Sequence, residues 1–184
     1  IVLAVSNITA DAGDLLSGYF LIAHNFTSRV YCHQAIIALT VFADLYGVHM
    51  SLYAIGDLHL SLGVEKPMDV FGGRWLNYVE KISEGFAPLN DNDLTVICGD
   101  ITWGMTMEEA LEDFLFIDKL PGRKLILKGN HDYWWTTATK ARKFFDEHGI
   151  ESIDVLHNNS FAYAGVSICG TRGWFYEESK NDVH

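Results

Sequence analysis

The sequence predicts an α/β domain built on a mostly parallel sheet. Three observations carry that reading. From Met50 onward, short apolar runs alternate with segments of helical period. Helix-sized intervals separate the runs, as expected for parallel strands joined by crossover helices. Three of the runs end in a glycine followed by a polar side chain, at Gly56-Asp57, Gly99-Asp100 and Gly129-Asn130.

Each element follows from its own residues. "SLYAI" is an apolar strand that stops at Gly56-Asp57. "RWLNYVEKI" places Trp75, Leu76, Tyr78, Val79 and Ile82 at helix-compatible spacing. "APLNDND" is turn-rich, and "LTVIC" is a second strand. In "TMEEALEDFLFIDKL", Thr106 can cap a helix with Glu109 three residues on, and Pro121-Gly122 stop it. "KLILK" is a third strand. "TTATKARKFFDEH" is a third helix, closed by Gly149. "SFAYAG" and "VSICG" are short β candidates.

The bulk numbers exclude several function classes. A chain of 184 residues with 49% hydrophobic and 20% charged residues can form one globular core. Its net charge of −11 lacks the positive field that general nucleic-acid affinity or an anionic membrane requires. The best apolar runs, "LLSGYFLIA" and "AIIALTVFA", are too short to span a bilayer, so no membrane partner is expected. Cys32, Cys98 and Cys169 form no CxxC pair, which fits a reducing, cytoplasmic setting without a disulfide framework.

Residues 1–49 differ from the remainder. They carry one basic residue, Arg29, and no Lys, Glu or Pro. The expectation is that residues 1–49 are an extension outside the native protein, which starts at Met50, and that 50–184 form the domain. "YEESKNDVH" has no closing strand or helix, so the domain is expected to be truncated at that end.

Ligands in open parallel sheets bind outside the carboxyl ends of the strands. Asp57, Asp100 and Asn130 all fall at that edge. In "GDLHL", residues two apart in an extended segment share a side, so Asp57 and His59 can aim an oxygen and a nitrogen at one divalent metal. The bland alternative is an Asx turn and a surface histidine. Asp100 offers two oxygens that can bridge two cations, or a loop carboxylate that accepts backbone amides. Asn130 offers a neutral amide oxygen. His131, adjacent in sequence, is better placed as a proton donor than as a ligand. Asp132 can hold that imidazole by a hydrogen bond, cap the next helix, or both.

Taken together, "GDLHL", "GD" and "GNHD" resemble the first three signature blocks of the calcineurin-like metallophosphoesterases. The stretch from "MSLYAIGDLHL" through "GTRGW" resembles the bacterial predicted phosphohydrolases of that superfamily. The resemblance implies the N-terminal portion of an α/β/β/α sandwich and hydrolysis of phosphoric esters at a two-metal site by a metal-activated water. It implies that Asp57 and His59 bind the first metal, Asp100 bridges both, Asn130 binds the second, and His131 serves as general acid. The ions would be drawn from Mn, Fe, Zn, Co or Ni, and the partner is a small-molecule or macromolecular phosphoester.

The family supplies later histidines, ending in a G-H-x-H block. None follows Asp132 here, and His157 and His184 sit in other contexts. The rival reading is a noncatalytic binding or scaffold protein that keeps the fold. Presence of all five residues from Asp57 to His131 speaks for the enzyme.

Several features earn no role. "GVSICGTRG" lacks the lysine of a phosphate-binding loop, and no G-x-G-x-x-G follows the first strand. Trp103, Trp134 and Trp135 can wall a pocket or pack in a core. Arg172 can reach a phosphate or form a surface ion pair. Cys98 and Cys169 read as packed thiols, and His148 as a helix-end cation.

Overall fold

The computed structural model describes residues 2–7, 37–39 and 50–171. The remaining residues, including His24, His33, His49, Cys32, Arg172 and His184, lie outside the described residues. Eight strands lie among the described residues: β1 (Val2–Asn7), β2 (Ile37–Leu39), β3 (Leu52–Ile55), β4 (Leu94–Ile97), β5 (Arg123–Ile126), β6 (Ile153–Val155), β7 (Asn159–Tyr163) and β8 (Val166–Thr171). Three α-helices are described: α1 (Tyr78–Phe86), α2 (Leu111–Lys119) and α3 (Ala138–Glu147).

The five-stranded sheet runs β2-β3-β4-β5-β6 and the three-stranded sheet runs β1-β8-β7. Strands β3 to β6 are mutually parallel, and β2 joins antiparallel at the edge of β3. The α/β expectation therefore holds, with a mostly parallel central sheet. Alternation along β4 and β5 shows the layering. Ile97 and Ile126 face the helices, together with Ile82, Phe114 and Phe144. Leu94, Val96 and Leu125 face the second sheet, where Tyr163, Val166 and Ile168 meet them. Both faces of β4 are buried, which accounts for its lack of polar alternation beyond Thr95.

Two helix boundaries differ from the sequence expectation, and one short strand was not foreseen. The first helix begins at Tyr78 rather than Arg74, because Gly72, Gly73 and Asn77 all have positive φ. Two 3-10 turns, Met68–Phe71 and Gly73–Trp75, fill the preceding segment. In the second helix the capping turn forms as expected. Thr106 Oγ1 accepts from the Glu109 amide at 3.2 Å, and the Glu109 carboxylate accepts from the Met105 amide at 2.7 Å. Regular helix starts one turn later, at Leu111. Strand β6 has only three residues, too few for a period to be read. The third helix matches, with Thr137 accepting from the Lys140 amide and Gly149 at φ 66 beyond its end. His148 bonds the Phe144 carbonyl at 2.8 Å, as a helix-end residue should.

Polar anchors lock the layers where sequence gave no warning. Asp93 accepts from the Ser51 amide at 2.8 Å. Tyr163 OH donates to the carbonyls of Ser51 and Asn92, both at 2.8 Å, tying the second sheet to the amino ends of β3 and β4. Lys124 on β5 is fully buried, and its ammonium donates to the carbonyls of Leu120 and Asp118 and to Ser152 Oγ. It satisfies carbonyls that the end of α2 leaves open.

Burial pushes the Lys124 ammonium down to about 8. Between that value and the ordinary lysine range the folded chain binds fewer protons than the unfolded one, so this group favours folding more as pH rises across that window. Lys124→Met removes the titration and orphans the Leu120 carbonyl, at a cost of about 1–3 kcal/mol. Urea unfolding at pH 7.5 and pH 10 should show the deficit of the variant widening at the higher pH.

Candidate metal centre

The site forms where β3, β4 and β5 end. Beyond Ile55 the chain keeps pairing without remaining a strand. The amides of Asp57, His59 and Leu60 donate to the carbonyls of Gly99, Asp100 and Ile101 at 2.9–3.1 Å. Leu58 and Leu60 are fully buried between the ligand-type residues. Asp57 and His59 have φ of 56° and 46°, so "GDLHL" is not extended, as the sequence reading supposed. Left-handed backbone, not a shared extended face, sets the directions of its two polar side chains, and His59 is buried. Asp100 has φ 53°. Such conformations cost of order 1–3 kcal/mol each for side-chain-bearing residues, least for Asp, and they collect at functional sites.

His59, Asp100 and His131 each offer a ligand atom, all within 4.8 Å of one another. Asp57 Oδ1 stands 3.8 Å from His59 Nε2. Asp100 is buried and its carboxylate is committed on both oxygens. Oδ1 accepts from the His131 amide at 2.9 Å, and Oδ2 faces His131 Nδ1 at 2.9 Å. Asn130 Nδ2 lies 3.2 Å from His131 Nδ1. A Cβ at Gly129 would collide with the Asp100 side chain and amide nitrogen, so only glycine lets the β5 end approach the β4 end.

Asp132 has a different partner set from the one expected. Its carboxylate is completely buried and is directed away from the imidazole. Oδ2 accepts from the amides of Asp100 at 2.9 Å and Gly129 at 2.6 Å. Oδ1 accepts from the Ile101 amide at 2.8 Å and from Trp134 Nε1 at 3.0 Å. The carboxylate beside His131 is Asp100. Asp132 is thus a positioning residue that fixes two loops.

The donor set suits a divalent cation. Burial holds the His59 imidazole down to about 4, against a partial opposing pull from Asp100, so one ring nitrogen offers a free lone pair. Burial, then the adjacent Asp100 carboxylate, pushes Asp57 up to about 6. Two crowded carboxylates and a neutral imidazole are relieved by one shared cation. His59 Nδ1 is sealed from solvent with no hydrogen-bond partner among the described residues, a buried atom that a ligand bond would satisfy.

Two residues of the site's wall escaped the sequence reading. Trp75 meets the His59 ring edge-on at 6.0 Å. Lys66 Nζ rests 3.4 Å over the Trp103 ring. Trp103 itself stacks on His59 at 4.7 Å and 19°. No short motif carries such packing. Trp134 and Trp135 lie in the core. Cys98 packs against the core between the sheets, and burial pushes its thiol up to about 12.

Residues 50–179 match the family described as calcineurin-like phosphoesterase, a span that holds every residue of the site. Among solved structures, a protein of unknown function from Aquifex aeolicus is similar at 20% identity and a TM-score of 0.42, over 64% of this chain. The match spans only 57% of that protein. No curated protein matches the chain at a significant level. No helix among the described residues is long and apolar enough to cross a membrane.

Asp132→Ala strands three buried amides and an indole N–H. Removal of a buried, multiply bonded carboxylate should cost about 3–5 kcal/mol, read by urea unfolding without added metal. An unchanged midpoint would show that Asp132 acts only on turnover.

Proposed function

This chain belongs to the calcineurin-like phosphoesterase family, and on that premise we propose that it hydrolyses phosphoric esters at a two-metal centre with His131 as general acid. The observation that carries the reading is the convergence of His59, Asp100 and His131 at adjacent strand ends, with Asp57 crowded against Asp100. In this reading Asp57 and His59 hold one divalent ion, Asp100 contacts both, and Asn130 holds the second. Residues 50–184 form the enzymatic domain, and a cytoplasmic setting suits the free thiols of Cys98 and Cys169.

When bound, such ions supply charge neutralisation of the phosphoryl oxygens and bring the pKa of water towards neutrality. The chain's own residues supply the rest. Asp100 and His59 fix the ligand geometry through backbone that is already bonded strand to strand. Nδ1 of His131 faces Asp100 Oδ2, which leaves Nε2 to carry the proton for the departing alkoxide. The imidazole is part-exposed, so a leaving group can reach it. The Asp100 contact also fixes the orientation of the imidazole ring.

Hydrolysis of a chromogenic phosphomonoester or phosphodiester with Mn²⁺, abolished by chelator, is the expected result. A metal-loaded protein inert on a broad phosphoester panel would favour a binding module instead. His131→Ala should leave metal content nearly intact and slow turnover of alkyl esters by roughly 10²–10⁴-fold. The loss should shrink with nitrophenolate, which leaves readily as an anion. If the variant instead loses metal and harms all substrates alike, His131 is a ligand.

A further inference from the structure

We propose that the loops around the metal centre form an apolar subsite, and that the substrate is a phosphoester whose organic part is an alkyl chain or aryl group. The inference rests on the hydrolase reading and names the substrate class of the same site. Its first support is a placement pattern. Among the described residues, the exposed large hydrophobics are Leu62, Val70, Phe71, Leu76, Met105 and Tyr133. The first four lie between β3 and α1, Met105 between β4 and α2, and Tyr133 between β5 and α3. All three connections leave the strand ends that carry the metal-type residues. Among the residues whose burial is described, the opposite edge, the α-helices, β7 and β8 contribute none. Scattered exposed apolar residues are ordinary, but concentration around one site marks a binding surface.

The second support is contact with the site. "DYWW" splits in two directions. Trp134 is 1% exposed and Tyr133 is 53% exposed. The Tyr133 ring lies 6.2 Å from the His131 ring, edge to face. It is held there, because its amide donates to the His131 carbonyl at 2.9 Å and its two chain neighbours, Asp132 before it and Trp134 after it, are buried. An aromatic ring fixed beside the proposed proton donor stands where the leaving group's carbon skeleton must pass. On the other flank, Met68 Sδ accepts from Trp103 Nε1 at 3.3 Å, and Trp103 stacks on His59. That contact seats the 3-10 turn whose Val70 and Phe71 are 75% and 71% exposed. Asp69 pins the same turn by accepting from the Asn77 amide at 2.8 Å. Rigidly presented apolar side chains beside a few polar groups are the composition of a small-molecule site.

The test measures affinity and turnover separately on the Mn²⁺-loaded protein. Titration calorimetry with n-alkylphosphonates from methyl to octyl should show Kd falling by roughly two- to fourfold per methylene over the first carbons. Tyr133→Ala and Phe71→Ser, both at the surface, should flatten that dependence. Hydrolysis of nitrophenyl phosphates is followed in parallel. Turnover with a Kd that is flat in chain length overturns the subsite and leaves the hydrolase reading standing. A steep dependence without turnover on any ester overturns the hydrolase reading while the apolar site stands. A steep dependence that neither variant alters overturns the assignment to these loops.

Discussion

A carboxylate with no solvent contact gathers the ends of two neighbouring strands. Asp132 takes amides from Gly129, Asp100 and Ile101 and the indole of Trp134. Each of those groups would otherwise be an orphan donor in a dry interior. Their shared acceptor sets the spacing of the β4 and β5 loops, and that spacing places Asp100 against His131. The third loop follows by backbone pairing, since the amides of Asp57 and His59 bond the carbonyls of Gly99 and Asp100. Position therefore passes from one buried anion to every side chain of the centre.

Much of this was legible in the residues. Alternation of apolar runs and helical segments fixed the class, and the glycine-polar ends placed the site at the correct edge. Thr106 and Gly149 marked their turns because capping is local chemistry. What stayed hidden is long-range or conformational. Asp113 is fully buried and accepts from Thr102 Oγ1 and from the Leu62 amide, yet in sequence it is one acid among several on a helix. Asp132 showed its type but not its direction, because the nearest polar neighbour in sequence was the wrong partner. The approach of Asp57 to His59 came through positive φ at both residues, which no pleat-based argument foresees.

The neutral imidazole and the crowded carboxylates lie on one edge, whereas the opposite edge is held by ordinary satisfied bonds among Ser51, Asp93 and Tyr163. The division is physically sensible. A scaffold closed at one end can tolerate unfavourable electrostatics at the other, and such groups are where chemistry is found.

The bond from Tyr163 to the Ser51 carbonyl joins residues 112 positions apart. During synthesis at about 5–20 residues per second, the first parallel strand waits roughly 6–20 s for that partner. The helical side can condense earlier, since α1 and α2 are made close to the strands they cover. The other side of the sheet, with Leu52, Leu94, Val96 and Leu125, remains bare until Val166 and Ile168 emerge. A nascent chain at that stage carries a wide sticky sheet surface, which makes the ribosome-bound interval its most aggregation-prone and the natural point for a chaperone to engage.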